Sequence, residues 1–340
     1  MATQRTALHH LRNCCTAVLI AVGSSSTFAS SFALIEQSVS GMGTAYAVGS
    51  SGIDDASTVY FNPAGMSRLH GSHLSGGLQI VDLNTDFKGS AEYANTGAAP
   101  PAGFDGVPIE GRKKLNLDTT ELVPSGYISH QYSDKVWFGI GVNAPFGLKT
   151  DYDSRKWVGR YNAIKSELLT ININPSMAFK FNDNVSIGFG MSAMYADGEL
   201  TNMADGGLRL AQAAAGLPGS DDGFVKLTAD DWGYGFNAGL LLTPTQNSRI
   251  GLHYRSEIDL KLDGDAKVSG FDSPLLESAK GKQDAKLDIT LPDSVSLSGN
   301  YSLNSRWAFM ADVTWTNWSD IDVLDIKLQD GSRSVAVWDY

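Results

Sequence analysis

The chain has 340 residues, with 26 Lys+Arg against 37 Asp+Glu and a net charge of −11 at pH 7. That balance excludes a nucleic-acid binder, which needs a basic surface to displace counterions from phosphates. A hydrophobic share of 42 % excludes a disordered chain. The only two cysteines, Cys14 and Cys15, have neither zinc nor redox spacing.

Residues 1–29 read as a secretory signal peptide. Arg5 and Arg12 give a positive start, Cys14 to Val22 is a short apolar run, and Thr27-Phe28-Ala29 is a small-x-small cleavage site. A second cleavage candidate ends at Ala33. A buried N-terminal helix is the competing reading, and the order of the three regions disfavours it. Removing the segment leaves 24 basic against 37 acidic residues, a net charge of −13, and no cysteine. Such an exported chain needs another source of rigidity, and a closed hydrogen-bonded sheet supplies one.

Residues 30–69 lack any period-two pattern. Gly41 and Gly43 sit in a Gly-rich stretch from Ser40 to Val48. Asp54 and Asp55 can cap a turn of helix over Ala56 to Tyr60. Asn62-Pro63-Ala64 is a cap-then-proline helix start. Two or three very short helices cannot bury a core alone, so this piece needs a host.

Beyond residue 30 no run approaches the roughly 20 apolar residues of a membrane-crossing helix. Alternation dominates instead: Val136 to Ala144, Leu169 to Ile173, Val185 to Ala196, Trp232 to Leu242, Ile250 to Lys261 and Trp307 to Thr316. Several of these runs exceed ten residues, longer than ordinary globular strands, and match strands that cross lipid. Trp307 and Trp315 share one face, roughly 27 Å apart along a strand at about 3.4 Å per residue. Tilted about 40°, that projects to roughly 20 Å, close to the apolar band between aromatic girdles. A soluble sandwich would need short turns at both ends. Here tight turns (133–135, 182–184, 244–247, 304–305) oppose long stretches (88–117, 149–164, 202–228, 264–285), as in outer-membrane barrels. About nine complete strands fit between residues 70 and 325. Arg255, Glu257, Asp259 and Lys261 share a parity opposite to Ile250 and Leu252, which predicts that all four face the lumen.

The stretch SGMGTAYAVGSSGIDDASTVYFNPAGMSRL (Ser40 to Leu69) closely resembles the hatch of the FadL-type outer-membrane long-chain fatty acid channels (OMPP1/FadL/TodX-like). The likeness continues at Asn143 to Gly147, Trp232 to Gly239, Tyr254 to Ser256, Leu291-Pro292 and Trp315 to Ser319. It implies an all-β fold: an antiparallel transmembrane barrel, fourteen-stranded in the family, with a small N-terminal helical hatch plugging the lumen. The domains are then the signal peptide (1–29), the hatch (30–69) and the barrel (70–340). The family pattern would continue for about five more strands after Trp315, so the chain reads as truncated at its C-terminus.

The resemblance also implies function: passive uptake of long-chain fatty acids or similar hydrophobic compounds across the outer membrane of a Gram-negative bacterium. An aromatic-hydrocarbon channel of the same family, a general porin and a surface receptor are the alternatives. Hatch residues would be Gly41, Gly43, Asp54, Asp55, Asn62, Pro63 and Ala64. Phe32 and Leu34 would join the ligand pocket, with Arg255 as its cation by parity and Arg160 as a weaker candidate. Pro145 inside the third strand marks a bulge or break, so Asn143, Pro145, Phe146 and Gly147 form a candidate lateral gate. The apolar Leu208, Leu210 and Leu217 sit in a loop that should be wet. They form a candidate capture surface, or else the loop packs on itself.

No GxSxG, HExxH or P-loop occurs, and His70 and His73 fall on opposite faces of a strand. The expectation is no enzyme, no cofactor and no metal. Gly188-Phe-Gly190 and Gly233-Tyr-Gly235 read as small lumen-facing residues that leave room for the hatch. Expected partners are the hydrophobic ligand, outer-membrane lipid and lipopolysaccharide, and the barrel-assembly machinery, with no nucleic acid and a monomeric state.

Overall fold

A computed structural model of the chain describes residues 32–93, 105–152, 154–212, 216–321, 323–329 and 333–337. The signal peptide expected over 1–29 lies outside them. None of the helices among these residues is long and apolar enough to cross a membrane.

The residues from 72 onward form one antiparallel sheet of strand segments β1 (Ser72–Lys88), β2 (Lys114–Gln131), β3 (Val136–Asn143), β4 (Gly147–Asp151), β5 (Lys165–Lys180), β6 (Val185–Asp205), β7 (Asp222–Thr245), β8 (Ser248–Arg255), β9 (Ile258–Ser269), β10 (Gly281–Leu291), β11 (Ser294–Ser302), β12 (Ala308–Thr316), β13 (Val323–Leu328) and β14 (Arg333–Val337). Four pairs of segments are single wall strands interrupted midway: β3/β4, β8/β9, β10/β11 and β12/β13. Among the described residues the wall therefore has nine strands followed by β14. Each neighbour is an antiparallel hairpin partner, the order that alternating hydropathy and tight turns dictate. Among the described residues β1 pairs only with β2, and β14 only with β13.

The alternation sorts the side chains as predicted over most of the sheet. Leu169, Ile171, Met177, Ile187, Phe189, Met191, Ile250, Leu252, Leu297, Phe309, Val313, Trp307 and Trp315 stand exposed on one face. A belt of bare apolar side chains this large needs hydrocarbon around it. The opposite face carries Asn143, Asn172, Asn174, Ser176, Ser192, Asn237, His253 and Arg255, all buried. Pro175 cannot donate to the ladder, and the Asn174 amide fills the gap by donating to the Met191 carbonyl (2.7 Å).

Two expectations fail here. The long stretches are shorter as loops, because β6 and β7 continue the ladder well past the bare apolar band; β7 alone has 24 residues. The shared parity of Arg255, Glu257, Asp259 and Lys261 also breaks. Arg255 ends β8 facing inward, but the interruption at Ser256-Glu257 reverses the pleat. Ile258, Leu260 and Leu262 then point inward, and Glu257, Asp259 and Lys261 are exposed outside. A half-step in register moves every later side chain to the other face.

Residues 32–69 fold into α1 (Val39–Met42), α2 (Gly49–Gly52), α3 (Thr58–Phe61) and a 3₁₀ turn over Pro63–Arg68. Asn62 caps that turn, accepting from the Ala64 amide (3.0 Å) with Pro63 in the first position. Asp55 accepts from the Ser57 amide at the start of α3 (2.7 Å). These helices pack on the inward face of the sheet: Ala56, Val59 and Met66 form a buried cluster with Tyr127, Trp137 and Ala178 of the wall.

Candidate functional site

Polar contacts fasten the 32–69 segment to the inner wall. Asn62 donates to Ser50 O (2.6 Å) and to Leu240 O of β7 (3.1 Å). The Trp137 indole donates to Leu69 O (2.7 Å), and Tyr127 donates to Gln37 O (2.8 Å). Ser50 and Ser51 bond Ser296 and Ser298 of β11. Asp54 pairs with Arg249 of β8 at 2.9 Å and with Arg68 at 3.6 Å. Burial opposes the charge on Asp55, but hydrogen bonds from Ser40, Ser57 and Ser75 outweigh it and hold the carboxyl below its ordinary value.

Small wall residues make this approach possible. A Cβ on Gly188 would strike the backbone of Pro63 and Ala64. One on Gly239 would strike the Asn62 amide, and one on Gly251 the backbone of Ser50 and Ser51. Gly188 thus leaves room for the helices, as the sequence suggests. Gly233 and Gly235 do not: their inner face holds the side chain of Ile258. Gly41 lies under the Tyr46 ring, and Gly43 caps the end of α1.

The interruption of the third wall strand opens a seam. β3 pairs with β2 only as far as Asn143, opposite Ser125. β4 pairs with β5 alone, so residues 114–124 of β2 have no ladder partner on that side among the described residues. Phe32 to Leu34 occupy the seam. Leu34 donates to Pro145 O (2.9 Å), Gly147 donates to Phe32 O (3.0 Å), and Ala33 bridges Phe146. On the other side, the Thr170 hydroxyl donates to Phe146 O (2.7 Å) and accepts from its amide (3.1 Å). Gln37, which no sequence motif singles out, locks the junction. It donates to Leu34 O and Ala144 O and accepts from the Asn143 amide, whose oxygen in turn accepts from Asn172. Lys149 and Glu121 form an ion pair across the seam (2.7 Å).

Beyond the seam, toward the long-loop end, the inner face turns apolar. Phe32, Phe146, Leu168, Met194, Leu260 and Leu291 belong to one buried cluster. Phe32 lies edge-on to Trp318 (5.4 Å) and against Phe146 (5.8 Å). Arg255 stacks over the Tyr60 ring (4.4 Å) and donates through Nη2 to Tyr60 O (3.0 Å). Its Nη1 is buried and unpaired, as are both polar atoms of the Asn237 side chain. Asn237 is the ladder partner of Arg255. Arg160 is otherwise engaged: it pairs with Asp222 (2.9 Å) and holds the loops at the far end.

The loop leucines divide. α4 (Gly206–Gln212) turns Leu210 into a buried cluster with Phe271 and Leu276, so this residue serves loop packing and not a capture surface. Leu208 is half-buried, while Leu217 and Leu275 are exposed.

A lipid-facing antiparallel barrel wall, filled from inside by a short helical segment and lined above it by apolar side chains, is the architecture of an outer-membrane channel for something other than water. The chain belongs to the family described as outer membrane protein transport protein (OMPP1/FadL/TodX), whose model matches residues 20–338. It is 30 % identical over 337 residues to outer membrane protein P1 of Haemophilus influenzae, covering 94 % of this chain and 72 % of that one. It is 29 % identical to a long-chain fatty acid transport protein of Escherichia coli, covering 93 % and 72 %. Among solved structures it resembles a Pseudomonas aeruginosa FadL homologue (TM-score 0.77, 23 % identity, 91 % of this chain and 74 % of that one). It also resembles the Ralstonia pickettii toluene transporter TbuX (TM-score 0.61, 19 % identity, 85 % and 76 %). The protein is thus an outer-membrane transport barrel.

Proposed function

We propose that this channel carries long-chain fatty acids passively inward, with residues 32–69 as a hatch and the seam between β2 and β4 as a lateral exit to the bilayer. One observation carries the reading: among the described residues β2 has no ladder partner along that seam, where the backbone of Phe32 to Leu34 lies against Pro145 to Gly147 and the Lys149–Glu121 ion pair crosses the gap. Withdrawal of that plug breaks the Leu34–Pro145 and Gly147–Phe32 bonds and opens the wall. Gln37 and Asn143 couple its withdrawal to the hatch. The name of the E. coli relative supports the ligand class.

The apolar cluster from Phe32 to Leu291 takes the acyl tail, and Arg255 with Asn237 takes the carboxylate. A hydrocarbon would leave Arg255 unpaired, which favours the fatty acid over a toluene-like ligand. A general porin has no use for a filled lumen. Leu217 and Leu275 form the outer capture surface. Replacing Arg255 by Met keeps the stacking stem and removes the charge. Oleate binding should weaken about ten- to a hundredfold, from the roughly 1.5–3 kcal/mol of a charge-assisted bond. Toluene uptake should not fall. Unchanged oleate affinity in Arg255→Met would remove the carboxylate site.

A further inference from the structure

The wall lapses a second time. β7 pairs with β9 up to Asp230, opposite Asp263, and with β8 from Asn237, opposite Arg255. Between these points residues 231–236 of β7 have no ladder partner across the seam among the described residues. The strand opposite keeps its pairing with β10 throughout Ile258 to Val268, so the slit is one-sided, as at β4. One residue stitches it: Ser256 donates its amide to Phe236 O (2.9 Å) and accepts from the Phe236 amide through Oγ (2.9 Å).

Inside the slit, Gly233 and Gly235 present no side chain, and Ile258 lies against both, at 2.8 Å from the position of a Cβ on Gly235. Ile258 belongs to the buried apolar cluster of the interior. Outside the slit lies a groove of about 650 Å³, bordered by Gly233, Gly235, Trp232, Phe236 and Tyr254. The side chains of Ile258 and Leu260, with the backbone carbonyls of Glu257 and Asp259, lie against the two glycines and separate the apolar interior from a groove on the lipid-facing side. The groove rim carries Glu257, Asp259 and Asp293, none of them ion-paired among the described residues. Carboxylates there repel a fatty anion and leave an uncharged molecule unaffected.

We propose that the slit between β7 and β9 is a second lateral portal, with Ile258 as its stopper, which passes uncharged hydrocarbons between the interior and the bilayer while rejecting fatty carboxylates. This rests on the reading that apolar ligands occupy the interior. The portal lies four wall strands from the β2/β4 seam, so the two can be blocked separately.

The test uses uptake-deficient bacteria carrying the complete gene, with radiolabelled toluene and oleate as probes. A Phe236→Cys/Ser256→Cys pair can be closed by oxidant and reopened by reductant. Oxidation should lower toluene uptake at least threefold, leave oleate uptake unchanged, and be reversed by reductant. Ile258→Ala should raise toluene uptake by a similar factor. Toluene uptake indifferent to both changes would overturn the portal, and so would equal changes for toluene and oleate. Uptake of neither probe by the unaltered protein would instead overturn the underlying reading of an apolar interior route, and the portal with it.

Discussion

Gly239→Ala probes whether residues 32–69 plug the channel. A methyl group there overlaps the Asn62 carboxamide oxygen and lies 2.8 Å from its Cγ, against 3.4 Å for ordinary contact. Asn62 is fully buried and cannot swing aside. The segment must shift away from β7, which breaks the bond to Leu240 O and disturbs those to Ser50 O and the Ala64 amide. Losing the one bond to the wall, worth about 1 kcal/mol, with about 1–3 kcal/mol of overpacking, weakens docking by roughly 2–4 kcal/mol. At about 1.4 kcal/mol per tenfold, the undocked fraction rises by about one to three orders of magnitude. Single-channel recording in planar bilayers should then show long open events that the unaltered protein lacks. Limited proteolysis should cut within 32–69. Gly126→Ala is the control, since a Cβ there meets nothing within 4 Å. Closed recordings and an uncut segment in Gly239→Ala would refute the account of the plug.

Two further outcomes follow from the ion pairs and titrating groups. The folded-state pKa of Asp55 is lowered, so its contribution to docking is full above the ordinary 3.8 and is lost as pH falls through the folded value. Hatch proteolysis in detergent should therefore stay slow down to about pH 4 and accelerate below it, and Asp55→Asn should remove that step. Asp222→Asn leaves the buried Arg160 without its counter-charge, at a cost of about 3–5 kcal/mol. Protease should then cut the loops near Arg160 and Tyr161 several-fold faster, with the hatch still protected.

Period-two hydropathy is enough to read the wall, because lipid on one side and polar filling on the other constrain every second residue. The cap at Asn62 and the break at Pro145 are equally legible, since both follow from local backbone chemistry. Glu257, Asp259 and Lys261 escape a parity argument because the pleat reverses at Ser256-Glu257, where no Gly or Pro marks the change. Gly233 and Gly235 look like hatch clearance in the sequence because a glycine does not declare its neighbour; Ile258 arrives there through that same reversal. Leu210 looks like a surface residue because its partners, Phe271 and Leu276, lie on another loop. Gln37 carries no motif, and only the fold brings it to Asn143.

Oleate uptake by uptake-deficient cells carrying a Pro145→Val/Gly147→Val variant tests the lateral route most directly. The two introduced valines favour an unbroken strand that pairs with β2 and excludes Phe32 to Leu34 from the seam. The account predicts that uptake drops at least tenfold while the protein still reaches the outer membrane. Uptake equal to that of the unaltered channel would contradict it.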